Sequence, residues 1–317
     1  MPYAPRYVLP PTHVGHSQIT RLFDFINPAA IALWNLRWQV KGFCDTYSSD
    51  HDVLKSRFAL GSGLRGGELY RACVSTSWEE QLEEFANIVL VNVIATFEDF
   101  TQGIAALGGF PTEVAESLQF PIKVPPQQKN GHDWAFAQFG PSVPELRGVF
   151  YMRHGTKRYA GPNLNNLLIC YRYFKSLRNM LAHNGGRATP QMVNAYTAFA
   201  SVATKTALGL DEVPLHHPVT LGGRVKVELR GVTGLCNVIL RIMTTYDAEL
   251  SDRQVALNEV NARTATLNSR LRMPPSEPSK RAERIQGLLH AGSLPTAVAT
   301  PALIDHLKVT GKIPAFW

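Results

Sequence analysis

Hydrophobic residues recur at spacings of three and four over most of this chain, which is typical of helices that pack along one face. The clearest stretch follows Ser77, because Ser77 and Glu80 have the spacing of a capping box, a signal that starts helices. Apolar residues then recur at helical spacing as far as Gly108 and Gly109, which are typical of a helix end. The pattern predicts a helix over residues 77–107, and its nearly all-apolar middle predicts burial between several neighbours.

Start and stop signals predict further helices along the chain. Asn27 and Pro28 have the character of an N-cap followed by a first helical residue. Thr189 and Pro190 have the same character at the start of a later helix. The predicted helices cover residues 28–41, 163–184, 190–208 and 233–250, and a more polar helix covers about 252–270.

Three segments interrupt this helical pattern. Prolines and glycines are frequent in residues 110–162, which leaves room for short elements and predicts an insertion. Apolar and polar residues alternate over 224–229, which predicts a short β-hairpin within 211–230. Residues 273–279 are typical of a linker. We therefore expect an all-α bundle domain over residues 1–272 with a small helical C-terminal appendage. The appendage, residues 273–317, either forms a separate helix-turn-helix-like unit or packs against the bundle.

Charge and cysteine content narrow the class of protein. The net charge of +7 and the pI of about 9.3 make an acidic partner plausible. The four cysteines are scattered without a Cys-x-x-Cys pair, which argues against a disulfide scaffold or zinc ribbon and fits a reducing compartment. The N-terminal residues lack an apolar signal core, and the longest apolar run, 88–95, is too short to span a bilayer. We expect a soluble cytoplasmic protein with no membrane partner.

Positive charge is concentrated around the predicted helix at 163–184. Residues 146–210 contain no Asp or Glu but nine Lys or Arg residues. Such a stretch creates a positive field that attracts a polyanion, although it could also be an ordinary solvated face. The candidate RNA contacts are Arg172, Lys175, Arg187, Lys157 and Arg158.

The most informative segment begins at Arg178 and ends at His183, with four residues between them, at the predicted end of a helix. The spacing alone is weak, because roughly two such pairs are expected by chance in this composition. Arg147 and His154 lie in a stretch whose glycines and proline predict a loop or a strand. Arg284 and His290 lie on a possible helix that a glycine interrupts. The alternative interpretation of the Arg178 segment is a surface arginine and a histidine favoured by the helix dipole.

The segment resembles the Arg-x(4–6)-His signature of HEPN ribonucleases, and the resemblance covers at most residues 77–250. It implies a helical bundle of HEPN type and a homodimer in which two motifs form one composite site. It also implies metal-independent endoribonuclease activity in a toxin or antiviral defence system, with an antitoxin or sensor protein as a partner. The implied catalytic residues are Arg178, His183 and Asn179, and the resemblance implies that Glu98 or Asp99 orients Arg178.

The chemistry of the residues agrees with this resemblance. Metal-independent RNA cleavage needs a base that titrates near neutral pH, a cation for the phosphorane and a proton donor for the 5′-oxygen. The sequence offers no phosphate-cradling glycine loop, His-Glu-x-x-His motif or carboxylate cluster, so we expect no metal or cofactor. The adjacent residues His216 and His217 suggest metal binding. In a strand they would point to opposite faces, and no second pair lies nearby, which favours a plain loop. Two alternatives remain: a non-catalytic RNA-binding or dimerisation module, and a DNA-binding regulator that acts through the C-terminal tail.

Overall fold

The computed structural model describes residues 7–63, 67–122, 130–151, 158–183, 185–265 and 277–315, and within them the fold is all α-helical. The α-helices in chain order are α1 (Pro10–Thr46), α2 (His51–Phe58), α3 (Trp78–Leu107), α4 (Thr112–Ser117), α5 (His132–Gln138), α6 (Leu164–His183), α7 (Pro190–Val202), α8 (Lys205–Leu208), α9 (Leu229–Leu250), α10 (Gln254–Thr264), α11 (Pro278–Ala291) and α12 (Pro301–Val309). This confirms the fold class predicted from the hydrophobic pattern.

Helix α3 is the centre of the bundle and is contacted by α1, α6 and α9. It starts as predicted, because Ser77 Oγ accepts a hydrogen bond from Glu80 N at 3.1 Å and the Glu80 carboxylate accepts one from Ser77 N at 2.8 Å. In the core the ring of Phe97 meets Tyr171 of α6 edge-on, with centroids 4.6 Å apart. Burial of an aromatic side chain of this size contributes about 1.5–3 kcal/mol, so such contacts fix α3 against α6.

Of the helices in the described ranges, α3 is the one whose length and composition would allow it to cross a membrane. Half of its most apolar 18-residue window is buried inside the molecule. The contiguous apolar run in the sequence is shorter than this window, because Asn92 interrupts it.

The first helix is much longer than predicted. Helix α1 begins at Pro10 and continues through Pro28, which the sequence suggested as a helix start. A proline inside a helix removes one backbone hydrogen bond but is also compatible with a helical φ, so packing on both sides can carry the helix through it. The half before Pro28 buries Ile19 and Ile26 in the main core. The half after it buries Val40 in a separate small core that α2 and residues 71–75 complete.

The predicted hairpin within residues 211–230 is wrong. Residues 222–225 instead lie beside the segment that follows α6, with Arg224 and Arg187 forming an isolated antiparallel bridge. Val225 N donates to Gly186 O at 2.7 Å, and Ala188 N donates to Gly223 O at 2.9 Å. The alternating pattern has a different cause: Val225 and Val227 are both buried in the main core, and α9 begins only two residues later.

The C-terminal tail packs against the bundle. Leu289 of α11 and Leu303 and Leu307 of α12 are fully buried in the main core. Val298 N donates a hydrogen bond to Val149 O at 2.8 Å, which joins the tail to the insertion over residues 110–162. The insertion itself contains α4 and α5. Most of the predicted linker, and the end of the predicted helix over 252–270, lie outside the described residues.

A buried carboxylate fastens the N-terminal segment to α9. Asp247 is fully buried, and its oxygens accept hydrogen bonds from Val8 N at 2.9 Å, Leu9 N at 2.8 Å and the Tyr151 hydroxyl at 2.6 Å. Burial raises the pKa of Asp247, and these donors act in the opposite direction by lowering it. The residues before α1 are therefore held by a specific polar contact and not by apolar packing alone.

Candidate active site on helix α6

Helix α6 ends directly after the Arg178–His183 segment. Gly185 and Gly186 have φ angles of +56° and +72°, the left-handed conformation that glycine adopts at low cost. Gly186 N donates a hydrogen bond to Met180 O at 3.1 Å and so closes the last turn. The motif therefore occupies the last two turns of a helix, as the sequence predicted.

Arg178 is held by Glu98 of α3. Its Nη2 atom lies 3.1 Å and 3.2 Å from the two carboxylate oxygens of Glu98. Lys175 Nζ lies 2.5 Å from the same carboxylate and 2.7 Å from Gln119 Oε1. All three charged side chains are largely covered, with exposed fractions between 19% and 27%. Glu98 therefore makes the contact suggested for Glu98 or Asp99, whereas Asp99 is exposed to solvent.

Two properties of this cluster bear on its chemistry. Burial lowers the pKa of Lys175, while its hydrogen bond to Glu98 raises it. The Arg178 Nε atom is buried, and no acceptor reaches it from the part of the chain that the structure describes. The guanidinium is thus fixed through its Nη2 atom and keeps a buried Nε donor that is unsatisfied within the described residues.

His183 and Asn179 lie on a different side of α6 from the Arg178–Glu98 contact. His183 is exposed at the last position of the helix, and Asn179, one turn before it, is half-buried. His183 lies five positions after Arg178, which corresponds to a rotation of about 140° around the helix axis. Within the described ranges no hydrogen bond joins them, so one α6 helix presents its guanidinium and its imidazole in different directions.

The other candidate RNA contacts do not form one surface. Arg172 is half-buried, with its guanidinium carbon 4.0 Å from the centre of the Phe120 ring, and burial lowers its pKa. Arg187 is exposed and donates to Gly222 O at 3.1 Å. Arg158 lies beside α1, with Nη1 3.4 Å from His16 Nδ1. Lys157 lies outside the described residues. Of the candidates that the structure describes, Lys175 contacts the Glu98 carboxylate that holds Arg178.

Acidic residues of α3 face the basic stretch. A cleft of about 680 Å³ lies between the start of α3 and the end of α6. Its lining includes Glu80, Glu83, Glu84, Arg187 and Arg224. The positive field expected from residues 146–210 is therefore reduced locally, because folding brings in carboxylates that are distant in the sequence. The charge of one stretch of sequence does not show which charged residues of other helices will lie beside that stretch in the fold.

The sequence predicted that the middle of α3 is buried between several neighbours, but one face of it is exposed. Ile88 and Val91 are each 49% exposed, and Ala95 is also exposed. Their spacing puts them on one face of α3, where they form an apolar stripe. Along α3 the stripe lies between Asn87 and Glu98. Glu98 contacts Arg178 of α6, and Asn87 lines the cleft together with Leu181 of α6.

The two adjacent histidines have separate partners. His216 packs edge-on against Phe199, with ring centroids 4.8 Å apart, and His217 Nε2 lies 2.9 Å from Glu228. Among the residues whose placement is described, no three His, Cys, Asp or Glu side chains are grouped in a way that could hold a metal ion.

The arrangement at the end of α6 combines a guanidinium fixed by a carboxylate, an amide and an exposed imidazole. A guanidinium can hold two phosphate oxygens, and an imidazole can accept or donate a proton near neutral pH. These are groups that acid–base chemistry on a phosphodiester requires. Comparisons of the chain with protein-family models, curated proteins and solved structures found no match.

Proposed function

We propose that this protein is a metal-independent endoribonuclease of HEPN type, with Arg178 and His183 as its catalytic residues. The observation that carries the proposal is the contact between Arg178 and Glu98, which fixes a guanidinium in the last two turns of the helix that ends with the exposed His183. A guanidinium held in one orientation can stabilise charge on a phosphate without reorganising during the reaction. An exposed imidazole can reach a substrate proton.

The reaction uses the RNA as its own nucleophile. His183 takes the proton from the 2′-hydroxyl, and the 2′-oxygen forms a bond to the adjacent phosphorus. Arg178 stabilises the negative charge on the phosphorane, with Asn179 positioned to donate to a phosphate oxygen. The bond from phosphorus to the 5′-oxygen then breaks, and that oxygen receives a proton from a second imidazole. The products are a 2′,3′-cyclic phosphate and a 5′-hydroxyl.

A homodimer supplies the second imidazole in this proposal. The rotation of about 140° between Arg178 and His183 separates the two groups on one helix. A second copy that packs on the exposed stripe of Ile88, Val91 and Ala95 would cover apolar surface and place its own α6 beside the first. Two-fold symmetry would then enclose two arginines and two histidines in one site.

The proposed setting is cytoplasmic, with RNA as the substrate and Lys175 and Arg187 as further phosphate contacts. A toxin or antiviral defence effector of this kind needs control by a partner protein. The acidic part of the cleft, where Glu83 and Glu84 lie beside the end of α6, would suit a basic segment of such an antitoxin or sensor.

A second candidate is a non-catalytic RNA-binding or dimerisation module. It is favoured by the same carboxylate, because Glu98 partly neutralises Lys175 and Arg178 in the unbound protein. A DNA-binding role for the tail has less support, because Leu289, Leu303 and Leu307 are used in the core and are not available for a separate domain.

The deciding experiment is a gel of RNA incubated with the purified full-length protein in EDTA. The proposal expects cleavage by the wild-type chain, and it expects 2′-deoxy substitution at the cleaved position to protect the substrate. The His183→Ala variant should bind RNA without cleaving it. RNA binding with no cleavage by the wild-type protein in any buffer would favour the non-catalytic module. Cleavage that depends on a divalent metal would overturn the proposed mechanism.

A further inference from the structure

A second cavity, distinct from the α6 site, lies along the outer face of α9. Its volume is about 440 Å³, within the range of small-molecule sites, and residues 210–215 form its opposite wall. Three guanidinium groups line it, those of Arg158, Arg230 and Arg241. Asp211 and Glu212 line the same cavity, so its arginines outnumber its acids by one and its lining is net positive.

Two glycines shape this cavity. A Cβ atom at Gly231 would lie 2.4 Å from Leu215 O, and a Cβ atom at Gly234 would lie 2.8 Å from Pro214 Cα. Without side chains at these positions, the backbone of Pro214 and Leu215 rests directly on α9. Residues 214–215 are therefore held close to the first two turns of α9, and the cavity continues along α9 as far as Arg241.

The charges in the cavity are unevenly balanced. Arg230 pairs with Glu212 at the exposed rim. Arg241 is half-buried, and in the described part of the chain neither Arg241 nor Arg158 pairs with a carboxylate. Arg241 and Arg158 thus line the cavity without a carboxylate partner in the described ranges, although the Arg158 guanidinium also contacts His16 Nδ1.

Helix α9 adds a row of three polar side chains to the lining of the cavity. Thr233, Asn237 and Arg241 follow one another at intervals of four residues, so they form a row along one face of α9. The row spans about 12 Å at the helical rise per residue and presents a hydroxyl, an amide and a guanidinium in order. Pro214 and Leu240 supply apolar wall beside this row.

We infer that this cavity binds a nucleoside phosphate, with Arg241 and Arg158 on the phosphate. A phosphate is the anion that guanidinium groups bind in a forked geometry. The Asn237 amide offers a donor and an acceptor to the edge of a base, while the apolar wall covers the face of the base. The phosphate can come from a free nucleotide or from the phosphorylated end of an RNA strand. Arg158, which the sequence suggested as an RNA contact, belongs to this second site.

The inference goes beyond the proposed ribonuclease and does not depend on it. Arg158 contacts His16 of α1, whereas Arg178 contacts Glu98 of α3, so the two sites use different helices. A variant that loses the nucleotide should keep the arrangement of Arg178 and His183.

Isothermal titration calorimetry of the full-length protein tests the inference. The probes are AMP, inorganic phosphate, adenosine, and short RNAs that differ only in a 5′-phosphate. AMP should bind at millimolar concentrations or below, and adenosine should bind at least tenfold more weakly, as expected for the loss of a charged hydrogen bond. Binding of AMP assigns the site to free nucleotides. Binding of the phosphorylated RNA alone assigns it to strand ends.

Two variants locate the binding. Arg241→Gln and Arg158→Gln should each weaken the binding of the preferred phosphate ligand about tenfold or more. Arg57→Gln is the matched control, because it removes one exposed arginine on α2 and should leave binding unchanged. Asn237→Asp, which places a negative charge in the row, should also weaken binding. The inference is overturned if no phosphate-bearing probe binds, or if adenosine binds as well as AMP. Wild-type affinity in a folded Arg241→Gln variant would also overturn it.

Discussion

Glu98 holds Arg178 through both carboxylate oxygens, although eighty residues of sequence separate them. The same carboxylate also holds Lys175, so one acid on α3 neutralises two cations on α6. A largely covered cation is costly without a partner, and the last two turns of α6 therefore depend on α3 for their charge balance.

The first prediction concerns this acid. Glu98→Gln should lower the free energy of unfolding by about 1–3 kcal/mol, because Arg178 and Lys175 would lose their charged acceptor. Urea unfolding followed by circular dichroism measures the change. The neighbouring exposed acid is the control, and Asp99→Asn should change stability by less than about 0.5 kcal/mol. Equal effects of the two substitutions would show that the Glu98 contact adds nothing to stability.

The second prediction concerns catalysis. His183→Ala should reduce the RNA cleavage rate on the order of 10²–10⁴-fold, because proton transfer is lost. Its unfolding free energy should stay close to wild type, since the side chain is exposed. Arg178→Ala should be comparably damaging, and Arg178→Lys should restore activity only in part, because an ammonium group cannot replace a bidentate fork.

The chance pair Arg284 and His290 provides matched controls for these variants, because both lie on α11 and both are exposed. Arg284→Ala and His290→Ala should cleave RNA at the wild-type rate. Inactive α11 variants combined with active α6 variants would place the active site elsewhere.

The third prediction concerns the dimer. Ile88→Glu should convert the proposed homodimer to a monomer and abolish cleavage, because it places a charge on the apolar stripe of α3. Size-exclusion chromatography with light scattering measures the mass. Val309→Glu is the control, since Val309 is 88% exposed at the end of α12 and lies far along the chain from the stripe. A wild-type monomer with full activity would contradict the composite site.

The fourth prediction concerns pH. Burial lowers the pKa of His132 below its ordinary value of 6.5, although Phe120 O and Asp133 act in the opposite direction. The unfolded chain therefore binds a proton more readily, and the stability present above about pH 6.5 should be lost as the pH falls. His132→Asn keeps a hydrogen-bond donor and removes the titration. The free energy of unfolding of this variant should fall less steeply than that of the wild type between about pH 7 and pH 5. An unchanged slope would exclude His132 as the source.

The parts of the fold that could be predicted are those with local causes. Ser77 and Glu80 start α3 through contacts within one turn, and Gly185 and Gly186 end α6 through their own backbone conformation. These signals need no knowledge of the rest of the chain, so a single sequence contains them in full.

The parts that could not be predicted depend on distant neighbours. The predicted helix start at Asn27 and Pro28 was wrong, because packing on both sides of Pro28 stabilises one continuous helix α1. The exposed face of α3 could not be located because Ile88 and Val91 are as apolar as the buried residues between them. Glu98 and Asp99 were equally plausible partners of Arg178 until the rotation of α3 against α6 was known.

The hydrogen bonds that Val8 N and Leu9 N donate to Asp247 affect the order in which the protein folds during its synthesis. The two ends of this contact are separated by 239 and 238 residues, so the start of the chain leaves the ribosome long before its partner exists. Helix α1 packs mainly against α3, which is synthesised early, but its contacts with α9 and the hydrogen bonds to Asp247 form only after α9 has emerged. The hydrogen bonds that anchor Val8 and Leu9 therefore form late, after α6 and its motif have already been synthesised.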